Sequence, residues 1–124
     1  MKQFILKQET YEIIGSCMEV HKKMGAGFSE VIYKEALEIE FIHRGIHFER
    51  EKKFSVEYRG QKLQHSYFAD FIVLDKVILE VKAVSNLTDA HVAQTLNYLR
   101  VSGCNVGLLI NFNEDRLAYQ RLVF

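Results

Sequence analysis

Asp70, Glu80 and Lys82 are charged residues set inside two otherwise apolar runs, 67–73 and 77–82. Both runs are rich in β-branched and aromatic side chains, and the polar reversal Leu74-Asp75-Lys76 between them reads as a hairpin turn. Side chains alternate along a strand, so Ile78, Glu80 and Lys82 should share one face of the second strand and Phe68, Asp70 and Ile72 one face of the first. Register decides whether those faces coincide. A three-residue loop at 74–76 pairs Val73 with Val77 and Asp70 with Glu80; a two-residue loop pairs Asp70 with Val81 and sends the carboxylates to opposite faces. The three-residue loop is expected. It places two carboxylates ~5 Å apart, with a repulsion of roughly 3 kcal/mol at an effective dielectric near 20. A domain's net stability is only ~5–15 kcal/mol, so the pair needs relief from protonation, a nearby lysine or a metal ion. Lys82 supplies one positive charge and leaves the trio net negative, open to a hard cation such as Mg²⁺.

The elements that must hold this trio can be read along the chain. A first helix is expected over 8–24, with Tyr11, Ile14, Met18 and His21 as its apolar stripe and Cys17 and Val20 beside it. Gly25-Ala26-Gly27 ends it. A second helix starts at the N-cap Ser29 and runs to Arg44, with Gly45 as its stop; Ile32, Tyr33, Ala36, Leu37 and Ile39 supply its buried side. Residues 47–58 alternate, with Phe48, Phe54, Val56 and Tyr58 in phase, and Arg59-Gly60 turns the chain into a long strand over 62–73. Thr88 caps a third helix that Gly103 ends. The apolar run 106–110, after a crossover helix, reads as a buried strand parallel to its neighbour. A last strand, with a short helix as the lesser alternative, covers 117–124. The order α-α-β-β-β-α-β-β describes an α/β sandwich around a mixed sheet, in one domain spanning 1–124.

Asp70 followed by Glu80-Val81-Lys82 on the next strand resembles the signature of the PD-(D/E)XK nuclease superfamily, and the element order resembles its restriction-endonuclease-like fold. Gly27-Phe28-Ser29-Glu30-Val31-Ile32-Tyr33 is similar to the pattern that names its GxxExxY family, extended upstream by His21, Lys22 and Gly25; Gln94 and Tyr98 resemble a QxxxY motif seen in several nuclease branches. One departure is Ala69, which stands where the signature has proline. The resemblance implies metal-dependent phosphodiester hydrolysis. Asp70, Glu80 and the backbone carbonyl of Val81 would hold Mg²⁺ or Mn²⁺, Lys82 would orient the attacking water, and Glu30 would hold a second ion or a bridging water. Gln94 and Tyr98, one helical turn apart, would line the path of phosphate or strand.

Plainer readings stand beside these. Glu30 suits the first turn of any helix through the dipole, Tyr33 reads as a packing residue with a wet hydroxyl, Lys82 as a salt-bridge partner of Glu80, and Gln94 as a surface amide. The histidines are scattered, and none is assigned to a metal. Hydrophobic residues make up 48% of the chain and charged ones 26%, an ordinary globular balance. The formal net charge is zero, so there is no global electrostatic footprint for nucleic acid. The mildly basic stretch 44–62 is the best candidate for a phosphate-contacting surface. Cys17 and Cys104 are isolated and read as free thiols of a reducing compartment. The N-terminal apolar run at 1–7 is too short for a signal peptide and no run could span a membrane, so a cytoplasmic protein is expected. Nucleic acid is the expected partner, DNA ahead of RNA, with a homodimer or protein partner as a further expectation. The rival is a nuclease-like fold serving as a non-catalytic binding or assembly module, motivated by the neutral charge.

Overall fold

In a computed structural model, residues 5–124 are described; the start of the N-terminal run discussed above, 1–4, lies outside them. Helices α1 (Lys7–Met24) and α2 (Glu30–Arg44) precede strands β1 (Phe48–Tyr58), β2 (Gln61–Val73) and β3 (Val77–Lys82). Helix α3 (Asp89–Ser102) then crosses over to β4 (Val106–Asn111), and β5 (Ala118–Val123) closes the fold. The five strands lie in chain order, antiparallel except for the parallel pair β3–β4 that α3 connects. One apolar layer joins α1 and α2 to Phe71, Val73, Leu79, Val81 and Leu108; a thinner one joins α3 to Tyr67, Ala69, Ile72, Ile78 and Leu122. No helix is long and apolar enough to cross a membrane among the described residues. The α/β order and the mixed sheet are those expected.

Three packing expectations need correction. On α1 the buried side is Ile13, Cys17, Val20 and His21 with Thr10 and Ser16, while Tyr11 and Met18 are exposed. Two hydroxyl residues can be buried there because Thr10 Oγ1 donates to Lys7 O and Ser16 Oγ to Glu12 O, satisfying themselves on the preceding turn. On α2 the buried row is Tyr33, Leu37 and Phe41, at spacing four, and Ile32 and Ile39 face solvent. On β1, Phe48 and Phe54 fall on opposite faces of the sheet rather than in phase: Phe48 packs with Phe71 and Phe41, and Phe54 with Tyr67. The same reversal occurs on β2, where Ala69 and Ile72, three apart, both pack toward α3.

The connection between α1 and α2 is fastened by Tyr33. Its hydroxyl donates to Gly25 O at 2.5 Å and accepts from the Phe28 N–H at 3.2 Å, and its buried ring stacks on Phe112 at 4.5 Å. Gly25 and Gly27 turn the chain here with φ of +73° and +109°, a region open to glycine at little steric cost. Removing the hydroxyl leaves the half-buried Gly25 carbonyl without its donor, so Tyr33→Phe should cost about 1–2 kcal/mol. Urea unfolding with an unchanged m-value would show it; no loss of stability would mean that this bond does not hold the turn.

Candidate active site

Register between β2 and β3 follows the three-residue loop: Val73 faces Val77, Ile72 faces Ile78 and Phe71 faces Leu79. Leu74 and Asp75 make the loop possible by adopting φ of +56° and +57°. One step further, Asp70 and Glu80 would be opposite, but there the ladder gives way to side chains. Glu80 Oε2 accepts the Asp70 N–H at 3.0 Å, and Asp70 Oδ2 accepts the Val81 N–H at 2.8 Å. Each strand's carboxylate thus takes an amide of the other strand that the parting backbones leave unpaired. The expected repulsion is softened, because a carboxylate that accepts N–H bonds is stabilised in its charged form.

The fork coincides with the reversal in the hairpin. The β1–β2 register runs unbroken from Arg50–Phe71 to Lys52–Ala69, so Glu51 lies opposite Asp70 by count. Glu51 has φ of +55°, a left-handed conformation that costs an L-residue about 1–2 kcal/mol. The turn in the strand at this point swings the distal half of the hairpin onto α3. It also takes Phe68 out of the face expected for it; Phe68 is exposed, while Tyr67 and Ala69 are buried.

Three further groups close around the acids. The Tyr67 hydroxyl donates to Glu80 Oε2 at 3.0 Å, and its ring is stacked on Tyr98, with centroids 3.8 Å apart. Lys34, from α2, places Nζ 3.1 Å from Asp70 Oδ1 and 3.1 Å from Glu51 Oε1. Lys82 shares the Glu80 face by alternation, and its charge eases the ionisation of Glu80. Burial, followed by the charge of Asp70, outweighs these helpers and raises the Glu80 carboxyl from 4.5 to about 7. Burial and then the carboxylates push Tyr67 well above the usual phenol range and raise Tyr98 as well, so both remain neutral hydroxyl donors. Burial works against the Lys34 charge, but Asp70 and Glu51 together hold its ammonium above the ordinary lysine range.

Of the residues expected at the site, Asp70, Glu80, Val81 and Lys82 come together at the fork, with Tyr98 reaching it through Tyr67. Gln94 lies exposed on α3, one turn before Tyr98. Glu30 lies half-buried in the first turn of α2, with no hydrogen bond or ion pair to the acids. The expected convergence of three carboxylates is not formed: no three His, Cys, Asp or Glu side chains among the described residues gather into a group able to hold a metal ion. It is Lys34, one turn after Glu30 on the same helical face, that α2 places beside Asp70. That spacing was the signal available for Lys34, since any rotation of α2 that aims Glu30 at the fork also aims Lys34. Tyr67 gave no such signal, since three residues before Asp70 a regular strand would place it on the other face. Asn111 gave none. Buried beside Lys82 in the parallel register, it accepts from Val84 N–H and donates to Val84 O, at 3.0 and 2.9 Å, and pins the exit from β3.

The donor set suits a hard divalent ion of the magnesium type, which accepts one or two carboxylates and keeps much of its water. Both hydrogen bonds to Glu80 fall on Oε2, so neither occupies Oε1. Asp70 offers Oδ1, at present shared with Lys34, and the Val81 carbonyl directly follows Glu80 in the chain.

An α/β sheet with two acids and a lysine at the fork of a central hairpin defines a class of phosphodiester-cleaving folds. The profile of the PD-(D/E)XK nuclease superfamily matches residues 7–122, nearly the full length, and the chain belongs to that superfamily. Its members generally use divalent metal ions. The fold is also similar to the crystal structure of SSO0001, with a TM-score of 0.60 and 20% sequence identity over 74% of this chain and 48% of that one. This chain thus spans about half the length of that protein, and a likeness at such identity concerns the fold alone. A search of curated proteins finds no match.

The raised Glu80 carboxyl has a consequence for stability. Between the ordinary value of 4.5 and about 7 the folded chain binds more protons than the unfolded one. Stability contributed by the protonated group is therefore complete below the lower value and is lost as pH rises through the upper. In metal-free buffer, the stability of wild type relative to Glu80→Gln should fall by on the order of 2–3 kcal/mol across this window. Urea titrations at a series of pH values would measure it, and a flat difference would contradict the assigned burial penalty.

Proposed function

We propose that this domain is a divalent-metal-dependent nuclease that hydrolyses phosphodiester bonds, in DNA ahead of RNA, and that it belongs to the GxxExxY branch of its superfamily. The observation that carries this reading is the fork itself, where Asp70 and Glu80 replace the β-ladder with mutual carboxylate–amide bonds beside Lys82. Two acids placed side by side in an apolar setting serve no packing purpose that uncharged residues would not serve at lower cost. The branch assignment is supported by Tyr33, which fastens the glycine turn of the Gly27–Tyr33 pattern.

In this reading Asp70, Glu80 and the Val81 carbonyl hold Mg²⁺ or Mn²⁺. When bound, the ion supplies Lewis-acid polarisation of a phosphate oxygen and makes water a better nucleophile. The chain's own residues do the rest. The Val81 N–H fixes the Asp70 carboxylate, and the Asp70 N–H and Tyr67 hydroxyl fix Glu80, so neither acid needs to reorganise when substrate arrives. Lys82 donates to the attacking water or a phosphate oxygen and offsets the charge that builds up in the transition state. Tyr98 and Gln94 offer a hydroxyl and an amide to the strand alongside. The water oxygen bonds to phosphorus, one P–O ester bond breaks, and the leaving oxygen takes up a proton. Glu30 is given no part in this scheme. The free thiols Cys17 and Cys104 accord with a reducing, cytoplasmic setting.

One observation favours a second reading, a nuclease fold kept as a binding module: the Lys34 ammonium sits on Asp70 where a cation would be expected. A panel of single-stranded, duplex and flap DNAs, with RNA counterparts, incubated with Mg²⁺ or Mn²⁺ separates the two. Cleavage by wild type should fall by at least about 10²-fold in both Asp70→Asn and Lys82→Ala, with circular dichroism unchanged. Equal cleavage by all three would assign the activity to a contaminant, and binding without cleavage by wild type would favour the module.

A further inference from the structure

Lys34 has no place in the metal-and-water scheme, yet it makes the most direct charged contact to Asp70. Its Nζ lies 3.1 Å from Asp70 Oδ1, the oxygen left over after Val81 N–H has taken Oδ2, and 3.1 Å from Glu51 Oε1 on the opposite strand. The Lys34 and Asp70 side chains are 14% and 15% exposed, whereas Glu51 is 48% exposed, so the ammonium bridges an inner acid and an outer one. Glu51 reaches it from a left-handed backbone conformation, φ +55°, opposite Asp70 in the register. A strained residue at this position is retained only if the surroundings hold it there, and Lys34 is the one ion-pair partner the described residues give it.

We propose that Lys34 is a positioning residue that sets the affinity of the site for its divalent ion: its ammonium competes with the ion for Asp70, and Glu51 governs the competition by drawing the ammonium outward. The proposal rests on the active-site reading above, because it takes Asp70 as a ligand. Its logic is charge bookkeeping at one oxygen. With Lys34 on Oδ1, Asp70 stays folded into the fork without an ion; an incoming ion must share or displace the ammonium, which then remains paired with Glu51. An ion arriving together with a substrate phosphate brings negative charge that Lys34 can follow. The site therefore binds free ions weakly and fills when nucleic acid is present. A purely structural lysine would behave otherwise, since deleting it would loosen Asp70 and weaken the ion.

The direction of the change distinguishes these cases. Mn²⁺ binding to the full chain, without nucleic acid, can be followed by calorimetry and by the loss of the free-ion electron paramagnetic signal. Removing one positive charge within a few ångströms of the ligand should tighten Mn²⁺ by about tenfold or more in Lys34→Met, while Lys34→Arg, which keeps the charge, should stay within about twofold of wild type. Glu51→Gln should weaken Mn²⁺ by about two- to fivefold in the wild-type background and have no effect in the Lys34→Met background, the signature of action through Lys34. Should Lys34→Met fail to fold, Lys34→Gln keeps a hydrogen-bond donor for Asp70 without the charge and carries the same expectation. Weaker or unchanged Mn²⁺ binding in the charge-removed variants, or an equal Glu51→Gln effect in both backgrounds, would overturn the proposal while leaving the active-site reading intact. Equal Mn²⁺ binding by wild type and Asp70→Asn would instead overturn that reading, and this one with it.

Discussion

Two carboxylates meet where the central hairpin parts, and most of what surrounds them answers the cost of holding them there. At a separation of a few ångströms their repulsion is comparable to a sizeable part of a domain's stability. Relief comes from four directions. Backbone N–H groups of Asp70 and Val81 are turned onto the acids, Tyr67 donates a hydroxyl, Lys34 and Lys82 bring positive charge, and Glu80 holds its proton into the neutral range. Each measure constrains the chain. The N–H bonds require the β2–β3 ladder to end after Phe71, the Tyr67 hydroxyl requires β2 to reverse its phase, and the Lys34 contact requires α2 to begin close to the fork.

The loops near this point are held with comparable care. His21, at the end of α1, lies with Nε2 2.8 Å from Glu114 O, an arrangement that places the proton on Nε2. Asn111 joins the exit from β3 to the end of β4 and also donates to Glu114 Oε2 at 2.8 Å. Tyr33 fastens the turn that leads into α2. A functional group gains from a rigid platform because misplacement by an ångström is costly, and these three side chains supply that rigidity with polar bonds where the backbone itself has no ladder.

Sequence legibility followed the strength of the physical signal. The hairpin loop was readable because only one loop length keeps both acids on one side, and the alternation of Ile78, Glu80 and Lys82 survived intact on a strand buried from Val77 to Val81. Helix ends were readable where a side chain performs the cap, as Thr88 does with the His91 N–H and its side chain. The phase of β1 and β2 was not readable, since nothing about a glutamate at position 51 announces a left-handed backbone. Helix faces were misjudged where hydroxyl residues are buried in place of Tyr11 and Met18, because Thr10 and Ser16 satisfy themselves within the helix. The acids of the hairpin were legible as a pair, and Glu30 was legible only as a motif letter, which says that a residue recurs in a pattern and not where α2 directs it.

In the proposed reading, a site neutralised from within lets a chain of zero formal net charge carry this chemistry. Many small metal-dependent domains fold only with their ion, since the ligands repel without it. Here Lys34, Lys82 and the proton on Glu80 offset the charge of the acids with groups of the chain itself. In the proposed reading that arrangement has a cost in affinity, because every positive charge that eases the repulsion of the acids opposes an arriving cation. In the same reading a phosphate brings the further negative charge that favours the ion, so ion and nucleic acid would assemble on this domain together. Such coupling would also replace the long-range attraction of a broad basic surface with a short-range gain at the fork.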